Sequence, residues 1–260
     1  MALSYDCYYI ISKYLNGVDY LNFCEAVGIE IKFDNLGQRF IADNIMRLYH
    51  LNADLTKVVA DLDWNYISGY QILSEDFIRD FKDYVNWIAI SRDQKISEDL
   101  MREFKDSINW FWVSCKQYLS EPFIKEFKHY VNWYNISKYQ PLSTEFISEF
   151  KEYTDWIAIS RYKTLTAQFA KRFKDYIEWY EVCNCQSLPE GFIRECKDYV
   201  NWKKISECQK LSEKFIIEFE DYVDWPYIYK YQKLSKAFKD RFTRKFMAGV
   251  SESPEIVENL

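Results

Sequence analysis

The chain has 260 residues, of which 48% are hydrophobic and 19% aromatic, with only 6 Gly and 5 Pro. Scarcity of the two turn-forming residues disfavours β-propellers and turn-rich sandwiches and favours helices. The 34 basic and 40 acidic residues leave a net charge of −6; the signs are interleaved, so the basic stripe of a nucleic-acid-binding protein is absent and the charges read as solvated helix faces.

In chain order, residues 1–35 read as two helices. Ser4 or Asp6 can cap a first helix carrying Tyr9, Ile10, Ile11, Tyr14 and Leu15. Asn16-Gly17 reads as a helix stop, with Gly suited to the left-handed position. Asp19 can cap a second helix carrying Leu21, Phe23, Cys24 and Val27. This stretch resembles an F-box: Leu3, Asp6, Ile11, Tyr14-Leu15, Asn16, Asp19, Leu21 and Val27 stand at matching positions. Ser4 and Gly17 replace the motif's prolines, and no Trp follows Val27. The resemblance implies that Leu3, Ile11, Leu15, Leu21 and Val27 would dock the Skp-type adaptor of a cullin ubiquitin ligase. A helical hairpin that caps the first repeat accounts for the same residues.

Residues 36–63 read as a degenerate first repeat. Ile41 stands one period before Trp64, and Leu55, Val58 and Leu62 fall near core slots. Atypical terminal repeats are the rule in such arrays.

From 64 to 247 the sequence repeats every 23 residues, with Trp64, Trp87, Trp110, Trp133, Trp156, Trp179, Trp202 and Trp225 in register and Trp112 outside it. The third residue after each Trp is Ile or Val; the seventh is Gln, save Lys163; the ninth is Leu or Ile; the tenth is Ser, save Thr166 and Pro189. The thirteenth is Phe or Leu, and the seventeenth is Phe, save Cys196. The tenth-position Ser is a helix N-cap, and apolar residues at thirteen, fourteen, seventeen, twenty and twenty-one form one buried stripe, predicting a helix of about 12 residues. The Asn or Asp before most Trp residues caps a second helix of about 7. Neither helix buries its stripe alone, so neighbours must stack. The expected fold is therefore all-α: a right-handed helical-hairpin solenoid of about eight 23-residue repeats behind an N-terminal F-box-like helical cap, with the repeated Trp residues as core shared between units. Lys236, Lys239, Arg241, Arg244 and Lys245 make the last helix basic, as suits a cap facing water, and residues 248–260 read as a polar tail.

Chemistry is sparse. The two histidines, His50 and His129, pair with no Ser-Asp or Cys partner at a recognisable spacing, and there is no glycine-rich phosphate loop. Seven cysteines include no CxxC, so no metal and no cofactor is expected, and free thiols point to a reducing compartment. No leader peptide and no apolar run of about 20 residues is present, so no membrane association is expected. The repeated Gln reads as an amide closing helix-end carbonyls or bridging to the next repeat. The residues one, two, five and six after each Trp differ between repeats while the frame stays constant, and they are rich in Tyr, Trp and Arg, the residues enriched at interface hot spots. A partner-binding surface including Trp112, Tyr134, Tyr139 and Tyr162 follows as an expectation.

The whole resembles large DNA virus proteins in which an F-box-like N-terminus precedes tandem units of the form Asn-Trp-x-x-Ile-Ser-x-x-Gln-x-Leu-Ser-Glu-x-Phe-Ile. The resemblance implies a non-catalytic adaptor that presents a protein partner to a ubiquitin ligase, in the cytoplasm or nucleus of an infected cell. The alternative is a structural or scaffolding protein, a virion component included, with no ligase link.

Overall fold

The local chemistry of one repeat explains its shape. The hydroxyls of Ser74, Ser97, Ser120, Ser143, Thr166, Ser212 and Ser235 accept the backbone N–H three residues on, so each starts a helix as an N-cap. That helix is six residues long, as in Glu75–Asp80 and Glu98–Glu103, rather than about 12. At Phe81 the backbone leaves helical geometry (φ −112°, ψ 26°). The N–H groups of Tyr84 and Val85 then both return to the Phe81 carbonyl, at 2.9 and 3.1 Å.

The break has a specific cause. A continuing helix would bond the Asn86 N–H to the Lys82 carbonyl. Instead the Asn86 N–H donates to Ser68 Oγ in the preceding repeat, at 2.9 Å, and the Lys82 carbonyl accepts the indole N–H of Trp87, at 3.0 Å. Both backbone groups stay satisfied, and the chain turns between them. Asn86 Oδ1 next accepts from Ile88 and Ala89, and a seven-residue helix, Trp87–Asp93, begins. The same cap serves Trp64–Tyr70, Trp110–Lys116, Trp156–Tyr162, Trp202–Cys208 and Trp225–Tyr231. Glu178, in the same position, makes no side-chain cap bond.

The computed structural model describes residues 5–34 and 36–250, with side chains from Cys7 to Lys245. Among these there are twenty α-helices, two short 3₁₀ turns and no strand, so the protein is an all-helical tandem-repeat solenoid in class. The chain forms two compact units, residues 1–132 and 133–260. Within each unit the Trp-initiated helices pack successively on one another, and the Ser-capped helices lie between them in sequence.

A polar ladder runs between the Trp-initiated helices. Gln94 Nε2 donates to the carbonyls of Ser68 and Gln71, and its Oε1 accepts the Leu73 N–H. Gln117, Gln209 and Gln232 repeat all three bonds one step along. The amide thus reaches back to the preceding repeat and satisfies groups that the helix end and turn would leave bare. Ser91, Ser114, Ser137, Ser160 and Ser206, all fully buried, accept the N–H eighteen residues on, as Ser68 does, and Cys183 substitutes a thiol at 3.3 Å. On the outer edge Glu75, Glu98, Glu190 and Glu213 each accept the N–H of the next repeat's cap serine.

The apolar slots fill as expected at positions three, thirteen and fourteen: Ile90, Phe77, Ile78, Phe123, Ile124, Phe215 and Ile216 are fully buried. The eight repeat tryptophans are instead half-buried, because each indole lies along the flank of the next Ser-capped helix with its N–H turned back to its own turn. Trp156 stands 5.2 Å from Phe173 and 5.1 Å from Tyr176, and Trp202 stands 5.1 Å from Phe219 and 5.2 Å from Tyr222. Each Trp therefore joins the turn behind it to the helix ahead of it.

At the N-terminus, helices Tyr5–Ser12 and Gly17–Val27 form the expected pair. Leu3 and Ser4 lie outside the described residues. Gly17 does not stop a helix in the left-handed region: it is the first residue of the second helix, capped by Asn16. Its lack of a side chain is needed because a Cβ there would meet the Phe40 ring at 2.5 Å. The left-handed stop is Gly28, at φ 66°. In 36–63, Ile41, Leu55 and Leu62 are buried, with Val59 rather than Val58 beside them, and the Trp64 indole already donates to the Val59 carbonyl. The last helix runs on from Lys236 to Val250, because Met247 and Ala248 stand where a capping Asn and a Trp would force the turn. The expected tail beyond 250 lies outside the described residues.

Two stability predictions follow from this packing. Gln209→Ala should cost about 1–3 kcal/mol by orphaning buried backbone groups, and Gln186→Ala, where a single bond is lost, should cost less in the same urea titration. Phe215→Ala should cost about 5 kcal/mol and the half-buried Trp156→Ala about 3 kcal/mol; equal losses would contradict the different burial of the two rings.

Candidate interaction surface

With the Gln, Ser, Glu and Leu positions consumed by bonds inside the molecule, the positions one and six after each Trp are left facing water. They carry large side chains. In residues 1–132 these include Tyr70, Ile88 and Phe111, and in residues 133–260 Tyr134, Tyr139, Ile157, Tyr162, Tyr180 and Tyr231, all exposed. Leaving such area in water costs roughly 25 cal/mol per Å² relative to burial, so contiguous patches of this kind mark interaction sites.

Three of the four expected surface residues converge. Lys138, on helix Trp133–Tyr139, places its Nζ 4.1 Å from the ring centre of Tyr162, 4.9 Å from Tyr139 and 5.7 Å from Tyr134. Tyr134 and Tyr162 are hydrogen-bonded. Tyr134 donates and is pushed above the usual phenol range, while Tyr162 accepts, faces the Lys138 ammonium and is held below it. The three rings thus form an open cluster around a cation, which fixes them as a preordered platform. Beside it, Arg161 makes a two-toothed pair with Glu181, both bonds at 2.8 Å, which holds the Glu181 carboxyl below its usual range.

Trp112 belongs to the other unit. It is half-buried, stands edge-on to Phe111 at 5.3 Å and has Arg92 at 5.6 Å from its ring. Arg92 is held in turn by Asp93 at 2.8 Å. It offers an aromatic–arginine contact, whereas the tyrosine cluster is built on a lysine.

The F-box-like positions divide. Leu21 is fully buried, Leu15 and Val27 are half-buried, and Ile11 is exposed, as are Ile10, Tyr14 and Val18. Leu21 therefore serves the packing of the helical pair, and among the described residues of the set Ile11 is the most exposed. Behind the pair, Tyr20 gives its oxygen to the Lys32 N–H at 2.7 Å, and burial pushes its phenol up to about 12.

No disulfide joins any of the seven cysteines. Cys196 fills the seventeenth-position Phe slot and Cys183 the Ser slot, both fully buried; burial pushes the Cys183 thiol up to about 11. Among the described residues no three His, Cys, Asp or Glu side chains converge on a metal position, and no helix is long and apolar enough to cross a membrane. The charged outer face is laced by Arg79–Glu103, Arg102–Glu126 and Arg194–Glu218 bonds that each span one repeat. Exposed pairs of this kind contribute little individually.

Two roles emerge only on folding. The Ser four residues after Trp recurs in six repeats, and the N–H it accepts lies eighteen residues on, in the next repeat. Lys138 gave no signal, because its role depends on Tyr162, 24 residues away, being placed one repeat along. Family models, curated proteins and solved structures were all compared with the chain, and none matches it.

The cluster predicts a titration order. Tyr162 should ionise at lower pH than an ordinary tyrosine, because its phenolate accepts from Tyr134 and faces Lys138. Tyr134→Phe should move that step to higher pH, read by near-ultraviolet phenolate absorbance on alkaline titration; an unchanged curve would contradict the geometry.

Proposed function

We propose that this chain is a non-catalytic protein-interaction adaptor, its repeats holding a protein partner and its N-terminal helical pair docking the Skp-type adaptor of a cullin ubiquitin ligase. The observation that carries the interaction reading is the division of labour within each repeat. The recurrent polar residues are spent on intramolecular bonds, whereas the varying positions put aromatic rings and Lys or Arg side chains in water. Such residues supply rigid contact area at low cost in side-chain entropy. The ligase link rests on the resemblance of residues 1–35 to an F-box, and the exposed apolar side chains of Ile10, Ile11, Tyr14 and Val18 give a protein something to dock against.

A scaffold without a ligase link would use the same aromatic surface and lack the adaptor step. The two readings separate in one experiment: capture of purified Skp-type adaptor by the full chain, set against Ile11→Asp/Tyr14→Asp. Both side chains reach solvent, so the variant should fold as the parent does. The ligase reading expects capture by the parent and about a tenfold or greater loss in the variant, equivalent to 1.4 kcal/mol or more. No capture by the parent leaves the scaffold.

A further inference from the structure

One repeat breaks the polar ladder, and the break opens a cavity. Elsewhere the seventh residue after Trp is Gln; here it is Lys163. Its Nζ donates to the Gln140 carbonyl at 2.7 Å, but a lysine has no acceptor to offer. The Leu142 N–H, which a Gln Oε1 would take, turns to the Gln140 carbonyl instead, at 3.0 Å. The clamp on the outer edge is missing as well. Where Glu75, Glu98, Glu190 and Glu213 hold the next cap's N–H, this repeat has Thr144, so no carboxylate reaches the Thr166 N–H. The Leu165 N–H is likewise unclaimed, because Gln186 places its amide nitrogen on the Ser160 carbonyl and its oxygen does not reach back as Gln94 and Gln209 do.

The packing loosens at the same place. Ala170 stands where Ile or Met stands in most repeats, and Phe169 is only partly buried while its counterparts Phe123, Phe192 and Phe215 are buried. The result is a cavity of about 240 Å³ walled by Leu142, Ile147, Ile159, Leu165 and Phe169. Thr144, Thr164 and Thr166 add hydroxyl-bearing side chains to it, and Lys163 is its one charged lining residue. Burial holds the Lys163 ammonium below its usual range, as expected of a cation lacking a counter-charge.

We infer that this cavity is a binding site for a small apolar carboxylate. The ammonium of Lys163, which keeps two N–H donors beyond the one given to Gln140, and the two adjacent backbone N–H groups of Leu165 and Thr166 supply donors for an incoming acceptor. A carboxylate, being acceptor-only, matches that set. The five apolar walls take the hydrocarbon end, giving the usual construction of a small-molecule site: mostly apolar, with few polar groups in its lining. At Ile96-Ser97 and Leu211-Ser212 the same two donors are already occupied, by Gln117 with Glu75 and by Gln232 with Glu190. The site does not depend on the adaptor reading and shares no residue with the tyrosine cluster.

The test is calorimetric titration of the full chain with sodium hexanoate, hexanol and inorganic phosphate as probes. Hexanoate should bind, with hexanol and phosphate each weaker by about tenfold or more, as loss of a charge-assisted bond or of the apolar contact requires. Lys163→Gln and Thr144→Glu each return the repeat to the pattern of its neighbours, so both should keep or raise the melting temperature. Each should weaken hexanoate by about tenfold or more, and Lys163→Gln should leave the weak hexanol binding unchanged. No hexanoate binding by the parent chain, equal binding of hexanoate and hexanol, phosphate binding as tight as hexanoate, or hexanoate binding unaltered in either variant would overturn the proposal.

Discussion

Everything in the repeat depends on one exchange of hydrogen bonds at the turn before each Trp. The N–H that would have continued the Ser-capped helix goes to a buried Ser of the preceding repeat, and the carbonyl it abandons accepts the indole N–H. A polar group buried without a partner costs a few kcal/mol, so neither half of the exchange is stable alone. Together they end one helix, start the next and tie the junction to its neighbour. The Trp is retained for its donor as much as for its apolar area, which explains why it sits half-buried on the flank and not at the centre.

The Gln ladder extends the same logic from the turn to the stack. The amides of Gln94, Gln117, Gln209 and Gln232 each use a carbonyl oxygen and two N–H donors on three backbone groups of the repeat behind. The bonds are directional, so they set the register between repeats, while the Phe and Ile slots supply most of the burial energy. A non-directional core alone would tolerate sliding of one helix pair over the next. The polar ladder is what makes the complete steps equivalent, and it makes the departure at Lys163 consequential: one changed side chain leaves several backbone groups to find other partners.

Because the frame is held by recurrent residues, the positions between them are free to differ without unfolding the chain. That freedom is where recognition can be written. The ring cluster around Lys138 illustrates how it operates: Tyr134 and Tyr139 come from one Trp-initiated helix and Tyr162 from the next, and the two helices are tied by the Asp155 N–H on Ser137 and the Lys163 ammonium on the Gln140 carbonyl. A binding surface assembled in this way inherits its rigidity from residues that take no part in binding.

The sequence by itself determined the helical class, the 23-residue period, the cap residues and nearly all buried slots, because capping and apolar periodicity are local properties written in each unit. It also located the variable surface, by comparison of each unit with the next. Helix length was decided by tertiary structure: the stripe from Phe77 to Val85 has helical periodicity throughout, yet the chain turns at Phe81 because Ser68 and Trp87, outside that stripe, compete for its backbone groups. Likewise Gly17 is explained by Phe40 and not by turn chemistry, and the cavity beside Lys163 exists because of what Gln would have done there. Trp87 is local to the turn, but Ser68, Phe40 and the ladder partners lie 18 or more residues along the chain from the groups they meet, so only folding brings them together.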